Sequence, residues 1–114
     1  MLTCIRSKRQ RDAAEYALRT IQSSCIRPYI KTIYLYGSCA RGEEKYSSDV
    51  DLFLELSESR PELKKYLYLL KSEVSSEELD DAETDLKIVV GDDWKRNKML
   101  YYTNVRKEGI QIWP

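Results

Sequence analysis

Histidine is absent from the 114 residues. That removes histidine-based triads, histidine metal clusters and histidine general bases. Any chemistry here falls to carboxylates, lysines, arginines, hydroxyls or a bound metal. Cysteine is scarce: Cys4, Cys25 and Cys39 make an odd set, with none at C-x-x-C spacing. A disulfide scaffold or zinc site is thereby set aside, and a reduced, cytoplasmic setting is expected. Net charge is absent too, with 19 basic residues against 19 acidic. Proteins that grip nucleic acid through its backbone carry a basic excess, so no stable nucleic-acid binding is expected. The opening "MLTCIRSKRQRD" lacks the apolar stretch of a signal peptide, and no run is long enough to span a bilayer, so no membrane partner is expected. There are no repeats, low-complexity tracts or linkers, and 1–114 reads as one domain.

What is present is patterned. Ala14, Ala17, Leu18, Ile21 and Cys25 fall on one face of a helix, which Pro28 is expected to end. "KTIYLYG" is β-branched and aromatic and reads as a strand stopping at Gly37. "SSDVDLFLEL" is a second strand. It turns Val50, Leu52, Leu54 and Leu56 to a core, and Asp49, Asp51, Phe53 and Glu55 to solvent or a site. Pro61 opens a helix with a stripe of Leu63, Tyr66, Leu67, Leu70 and Val74. The polar connection "SSEELDDAE" leads to a third strand, "TDLKIVVG". Its Leu86, Ile88 and Val90 face the core, while Asp85, Lys87 and Val89 face away. After Gly91, "DDWKRNKMLYYTNVRKEG" reads as a helix capped by Asp92 or Asp93 and stopped by Gly109; "IQIW" closes the chain as a short strand. Helices and strands in this order predict an α+β (α/β two-layer) domain, a small mixed sheet packed by helices.

Asp49 and Asp51 are two apart and project from one strand face, with Cα atoms about 6–7 Å apart. Asp85 holds the equivalent place on the third strand, and neighbouring strands, about 5 Å apart, would let the three carboxylates converge. Three acids on rigid elements suit a hard divalent cation such as magnesium. A lone D-x-D is also common as turn residues or solvated charge. Gly37 and Ser38, where a strand turns sharply into a short helix, present backbone N–H groups and a hydroxyl to a phosphate, or simply form a tight turn with Ser38 as cap. Arg41 pairs with phosphate or with an aspartate, or packs its stem on the surface. Lys87 reaches a phosphate or balances the acids. The spacing is neither a Walker loop nor a dinucleotide fingerprint.

Together, Gly37-Ser38-Cys39-Ala40-Arg41-Gly42 and Ser48-Asp49-Val50-Asp51-Leu52 resemble the G-S-x-A-R-G … S-D-x-D-L signature of minimal nucleotidyltransferases, within the DNA polymerase beta-like superfamily. The ending "VRKEGIQIW" is similar to that family's closing helix and strand. The resemblance implies the nucleotidyltransferase fold. Gly37 and Ser38 would bind a nucleoside triphosphate, with Arg41 nearby, and Asp49, Asp51 and Asp85 would be catalytic acids and ligands of Mg2+. Asp85 would help activate the attacking hydroxyl. The implied reaction moves AMP from ATP to a hydroxyl. Such minimal proteins are often antitoxins beside a helical HEPN toxin, which would be the partner and acceptor. The alternative is an inactive module of the same fold that neutralises its partner by contact. A metal-dependent phosphatase or glycosyltransferase using the D-x-D fits less well, because neither expects Gly-Ser ahead of the acids.

Overall fold

A computed structural model describes residues 2–78 and 81–114. The first helix, α1 (Lys8–Gln22), opens at Ser7, whose hydroxyl accepts the Gln10 N–H. Ala13, Ala14, Ala17 and Ile21 make its buried face. It stops well before Pro28: the Ser23 N–H turns back to the Arg19 carbonyl, and the Ser24 hydroxyl donates to the Ile21 carbonyl at 2.6 Å. Pro28 instead sits in a 3-10 turn, Arg27–Tyr29, and Cys25 lies exposed between the two.

Strand β1 (Ile30–Tyr36) follows, then Gly37, the four-residue helix α2 (Ser38–Arg41) and strand β2 (Val50–Leu56). Pro61 opens a 3-10 turn, Pro61–Leu63, that runs into α3 (Lys64–Glu73). The buried line there is Leu63, Leu70 and Val74, with Leu67 partly buried beside them; Tyr66 is exposed, contrary to the expected stripe. Of the polar connection before β3 (Thr84–Val90), residues 79 and 80 lie outside the described residues.

The sheet order is β3-β2-β1-β4. β1 runs antiparallel to both its neighbours, and β2 runs parallel to β3, the two joined through α3. A parallel pair needs such a crossover, which is why a helix lies between these strands in sequence. The fold is α+β as expected. Val50, Leu52, Leu54 and Leu56 pack with Ile33, Leu35 and Leu86 against α1 and α3. Val90 was expected in this core, but it ends an edge strand and is exposed.

The other sheet face is not left to solvent. Phe53 and Glu55 are buried there, under a second cluster built from Tyr36, Phe53, Trp94 and Val105. Glu55 accepts from the Thr32 hydroxyl at 2.5 Å and from the Trp94 indole N–H at 2.8 Å. That anchor breaks the long helix expected after Gly91. The segment folds as a 3-10 turn (Asp93–Lys95) and then α4 (Leu100–Glu108). Neither Asp92 nor Asp93 caps a helix; both pair with Arg96. Gly109 does end α4, in an extended conformation: a Cβ there would land on the Val105 carbonyl. β4 (Ile110–Trp113) then pairs with β1.

Removing Phe53, whose ring lies 4.8 Å from Trp94, opens a cavity between sheet and cover. Phe53→Ala is expected to cost about 3–5 kcal/mol in urea unfolding. Tyr68→Ser, on the exposed side of α3, should stay within about 0.5 kcal/mol of the parent.

Candidate active site

The β2–β3 register sets Asp51 directly opposite Asp85, and the β1–β2 register sets Asp51 opposite Tyr36. Asp51 therefore lies between an acid and a phenol on one sheet face, half-buried. Burial first, then the charges of Asp85 and Asp49, raises its pKa to about 6, while Lys87 and Arg41 pull the other way. Tyr36 is pushed up by burial and by Asp51 and Asp85, so its hydroxyl stays protonated beside them.

Gly37 makes room for this carboxylate. It has φ +78°, and a Cβ built on it would collide with Asp51 Oδ2. Only glycine satisfies both the backbone angle and the close approach. Its N–H donates to Glu108 Oε1 at 3.1 Å. Arg41 donates from Nη1 to both Glu108 oxygens at 2.9 Å, and from Nε to Glu43 at 3.3 Å. Glu108, then Glu43, hold its guanidinium more firmly protonated. Among the described residues Arg41 thus pairs with two glutamates and not with an aspartate.

Asp49 lies one residue ahead of β2, exposed, with its backbone held from two sides. Its carbonyl accepts from the buried Cys39 thiol at 3.6 Å, and the next N–H, of Val50, donates to the Glu83 carbonyl at 2.9 Å. Burial, then Glu44 and Asp51, pushes Cys39 up to about 12, so it remains a neutral donor.

Of the three carboxylates expected to converge, the strand register pairs only Asp51 with Asp85, while Asp49 stands one residue ahead of the ladder. Lys87 Nζ takes the Asp85 carboxylate at 3.1 Å, and among the described residues no three acidic or thiol side chains stand close enough to hold a metal ion. The physical reason is plain: anionic groups repel, and a lysine two residues along the same face offers Asp85 a partner. The donor chemistry still suits a hard divalent cation. Asp51 carries a raised pKa through burial first and then through repulsion by Asp85 and Asp49, and a bound cation would offset both.

Two residues of this site escaped the sequence reading. Glu108 sits in the last turn of α4, where an acid opposes the helix dipole, and that misplacement was its signal. Gln10 is a polar residue on the buried face of α1, in step with Ala13, Ala14 and Ala17.

The raised pKa of Asp51 has a definite sign for stability. The folded chain binds this proton more tightly than the unfolded chain, whose value is near 3.8. The contribution is therefore most favourable below that value and is lost as pH rises through about 6. Metal-free protein should show this decline in thermal melts. Asp51→Asn should flatten it and raise the melting temperature at pH ~7.5.

Comparisons with known proteins bear on the fold and the family. The family described as "Polymerase beta, Nucleotidyltransferase" matches residues 20–113. Among solved structures, a chain from a toxin–antitoxin crystallised with AMP-PNP superposes with a TM-score of 0.59 at 20% identity, covering 87% of this chain and 71% of that chain. A Sulfolobus solfataricus protein described as a nucleotidyltransferase gives 0.51 at 19% identity, over 92% of this chain and 80% of its own. At such identities the structures speak for the fold alone. No curated protein matches in sequence. The family match takes in the glycine turn, both D-x-D acids, Asp85 and all four strands, and the chain belongs to the polymerase beta-type nucleotidyltransferases.

Proposed function

We propose that this chain, acting as a single minimal domain over 1–114, transfers AMP from ATP to a hydroxyl of a partner protein, and that the partner is a helical HEPN-type toxin silenced by the modification. The observation that carries the reading is Asp51 in register with Asp85, its carboxylate packed against the Gly37 backbone. The family supports nucleotidyl transfer, and the toxin–antitoxin neighbour with AMP-PNP supports ATP and a protein partner.

In this reading Asp49, Asp51 and Asp85 hold Mg2+, while the Gly37–Ser38 turn and Arg41 hold the triphosphate. The metal supplies Lewis-acid stabilisation of charge on the transferring phosphoryl group. Asp85, released from Lys87, accepts the proton of the attacking hydroxyl. The new oxygen–phosphorus bond forms at the α-phosphate, and the bond to pyrophosphate breaks. The chain's share is positioning and charge, which is most of what phosphoryl-type transfer asks of a protein.

Incubation with α-labelled ATP, magnesium and the co-purified helical partner tests the proposal. Label should appear on the partner, and Asp49→Ala or Asp51→Ala should reduce it at least ~100-fold, in line with a charge-stabilising role. Partner inhibition that survives both substitutions without label transfer would instead support neutralisation by contact.

The contacts of Glu108 add a second expectation. Its carboxylate engages the Gly37 N–H and Arg41, two donors this reading assigns to phosphate. A triphosphate must displace or share them against a nearby negative charge. Glu108→Gln keeps the acceptor shape without the charge, and calorimetry should find ATP binding about 3- to 10-fold tighter.

A further inference from the structure

Asp49 differs from the other two acids in how it is held. Asp51 and Asp85 lie inside strands, where ladder bonds fix the backbone; Asp49 ends a loop running from Gly42. That loop is fastened by α1 and the residues just before it. The Arg6 N–H donates to the Glu44 carboxylate at 3.0 Å, and Arg9 Nη1 donates to the Tyr46 carbonyl at 2.6 Å with its guanidinium 4.3 Å from the Tyr46 ring. Gln10 does most. Its side-chain NH2 donates to the carbonyls of Lys45, Tyr46 and Ser48 at 2.9, 3.1 and 3.2 Å. The Ser48 carbonyl belongs to the peptide that carries the Asp49 N–H, so this bond sets the plane from which Asp49 departs.

Gln10 is fully buried, and its Oε1 has no partner among the described residues. For core stability alone this is a poor choice. Burying an amide costs free energy unless every polar atom is paired, and a leucine of similar size would pack against the neighbouring alanines without that penalty. The amide's donors recover the cost only through the loop. The residue also lies ahead of the segment matched by the family, which starts at residue 20.

We propose that Gln10 is a positioning residue for Asp49: its buried amide fixes the Ser48–Asp49 peptide and so holds the Asp49 carboxylate where it serves as a metal ligand. This rests on Asp49 having the ligand role of the proposed function. Groups that orient a ligand typically change metal affinity by 10- to 100-fold when removed.

The test uses the full chain, with Mn2+ alone as probe and the metal-induced rise in melting temperature as readout. Gln10→Leu should raise the Mn2+ concentration for half the shift by about tenfold. It should also speed amide hydrogen exchange within residues 45–50. Ile21→Val, a core change on the same helix, controls for simple loss of stability and should leave both readouts at the parent values. In turnover, Gln10→Leu should raise the magnesium needed for half activity while leaving kcat at saturating metal nearly unchanged. A Gln10→Leu midpoint no higher than that of Ile21→Val overturns the proposal, even if the loop exchanges faster. If Asp49→Asn binds Mn2+ as the parent does, the ligand role of Asp49 itself fails and the inference falls with it. If the parent responds to Mn2+, Asp49→Asn loses that response and Gln10→Leu keeps it unchanged, the failure lies with Gln10 alone.

Discussion

The site depends on one pairing, the parallel register of β2 and β3 that sets Asp51 beside Asp85. Like charges on directly paired strands destabilise a sheet. Here burial, and then that repulsion, raise the Asp51 pKa to about 6, and Lys87 is drawn onto Asp85. The register itself is fixed by hydrocarbon: Val50, Leu52, Leu54 and Leu56 belong to the α1–α3 core, and a slip of one residue would turn them out to the other face. The apolar face of β2 thus holds the repelling acids together on its polar face. A sheet that spends stability on this arrangement is consistent with a site where a cation and a polyanion do the balancing.

The same face carries the second core, and the order of residues along β2 divides the two tasks. Glu55 and Phe53 lie under Trp94, sealed by the indole bond and the ring contacts. Two residues further back, Asp51 is half-buried, flanked by Tyr36 and Gly37. The aromatic cover therefore supplies the low-dielectric wall that strengthens charge interactions at Asp51 while leaving its edge reachable. α4 joins both tasks, since Val105 packs in the cover and Glu108, one turn on, reaches the Gly37 turn.

Much of this was legible from residue order. Alternation in "VDLFLEL" placed Asp51 and Phe53 on one face, and the matched position of Asp85 anticipated the pairing of β2 with β3. Glycine at 37 marked a turn that the Asp51 carboxylate makes obligatory. The failures share a cause: they concern tertiary partners, which periodicity does not encode. Glu55 looked like a solvent residue because nothing local announces that Trp94 will bond it from 39 residues away. That same bond splits the helix read after Gly91. Pro28 was taken as the helix stop because proline breaks helices, yet α1 ends earlier, where two serine residues offer the backbone and side-chain bonds that close it.

The three acids also differ in what fixes them, and this ordering bears on the proposed chemistry. Asp51 is clamped by ladder bonds on both sides, in the middle of the sheet. Asp85 sits on the edge strand, its backbone paired on one side and its carboxylate steered by Lys87. Asp49 has no ladder of its own and relies on α1, Cys39 and the Glu83 carbonyl. Preorganisation lowers a barrier only to the extent that every charged group is already in place. The sheet guarantees this for one acid, a lysine contests it for the second, and for the third the work passes to a helix whose amide is buried for little other physical reason. The leading helix therefore acts as part of the site's scaffold as well as one wall of the core.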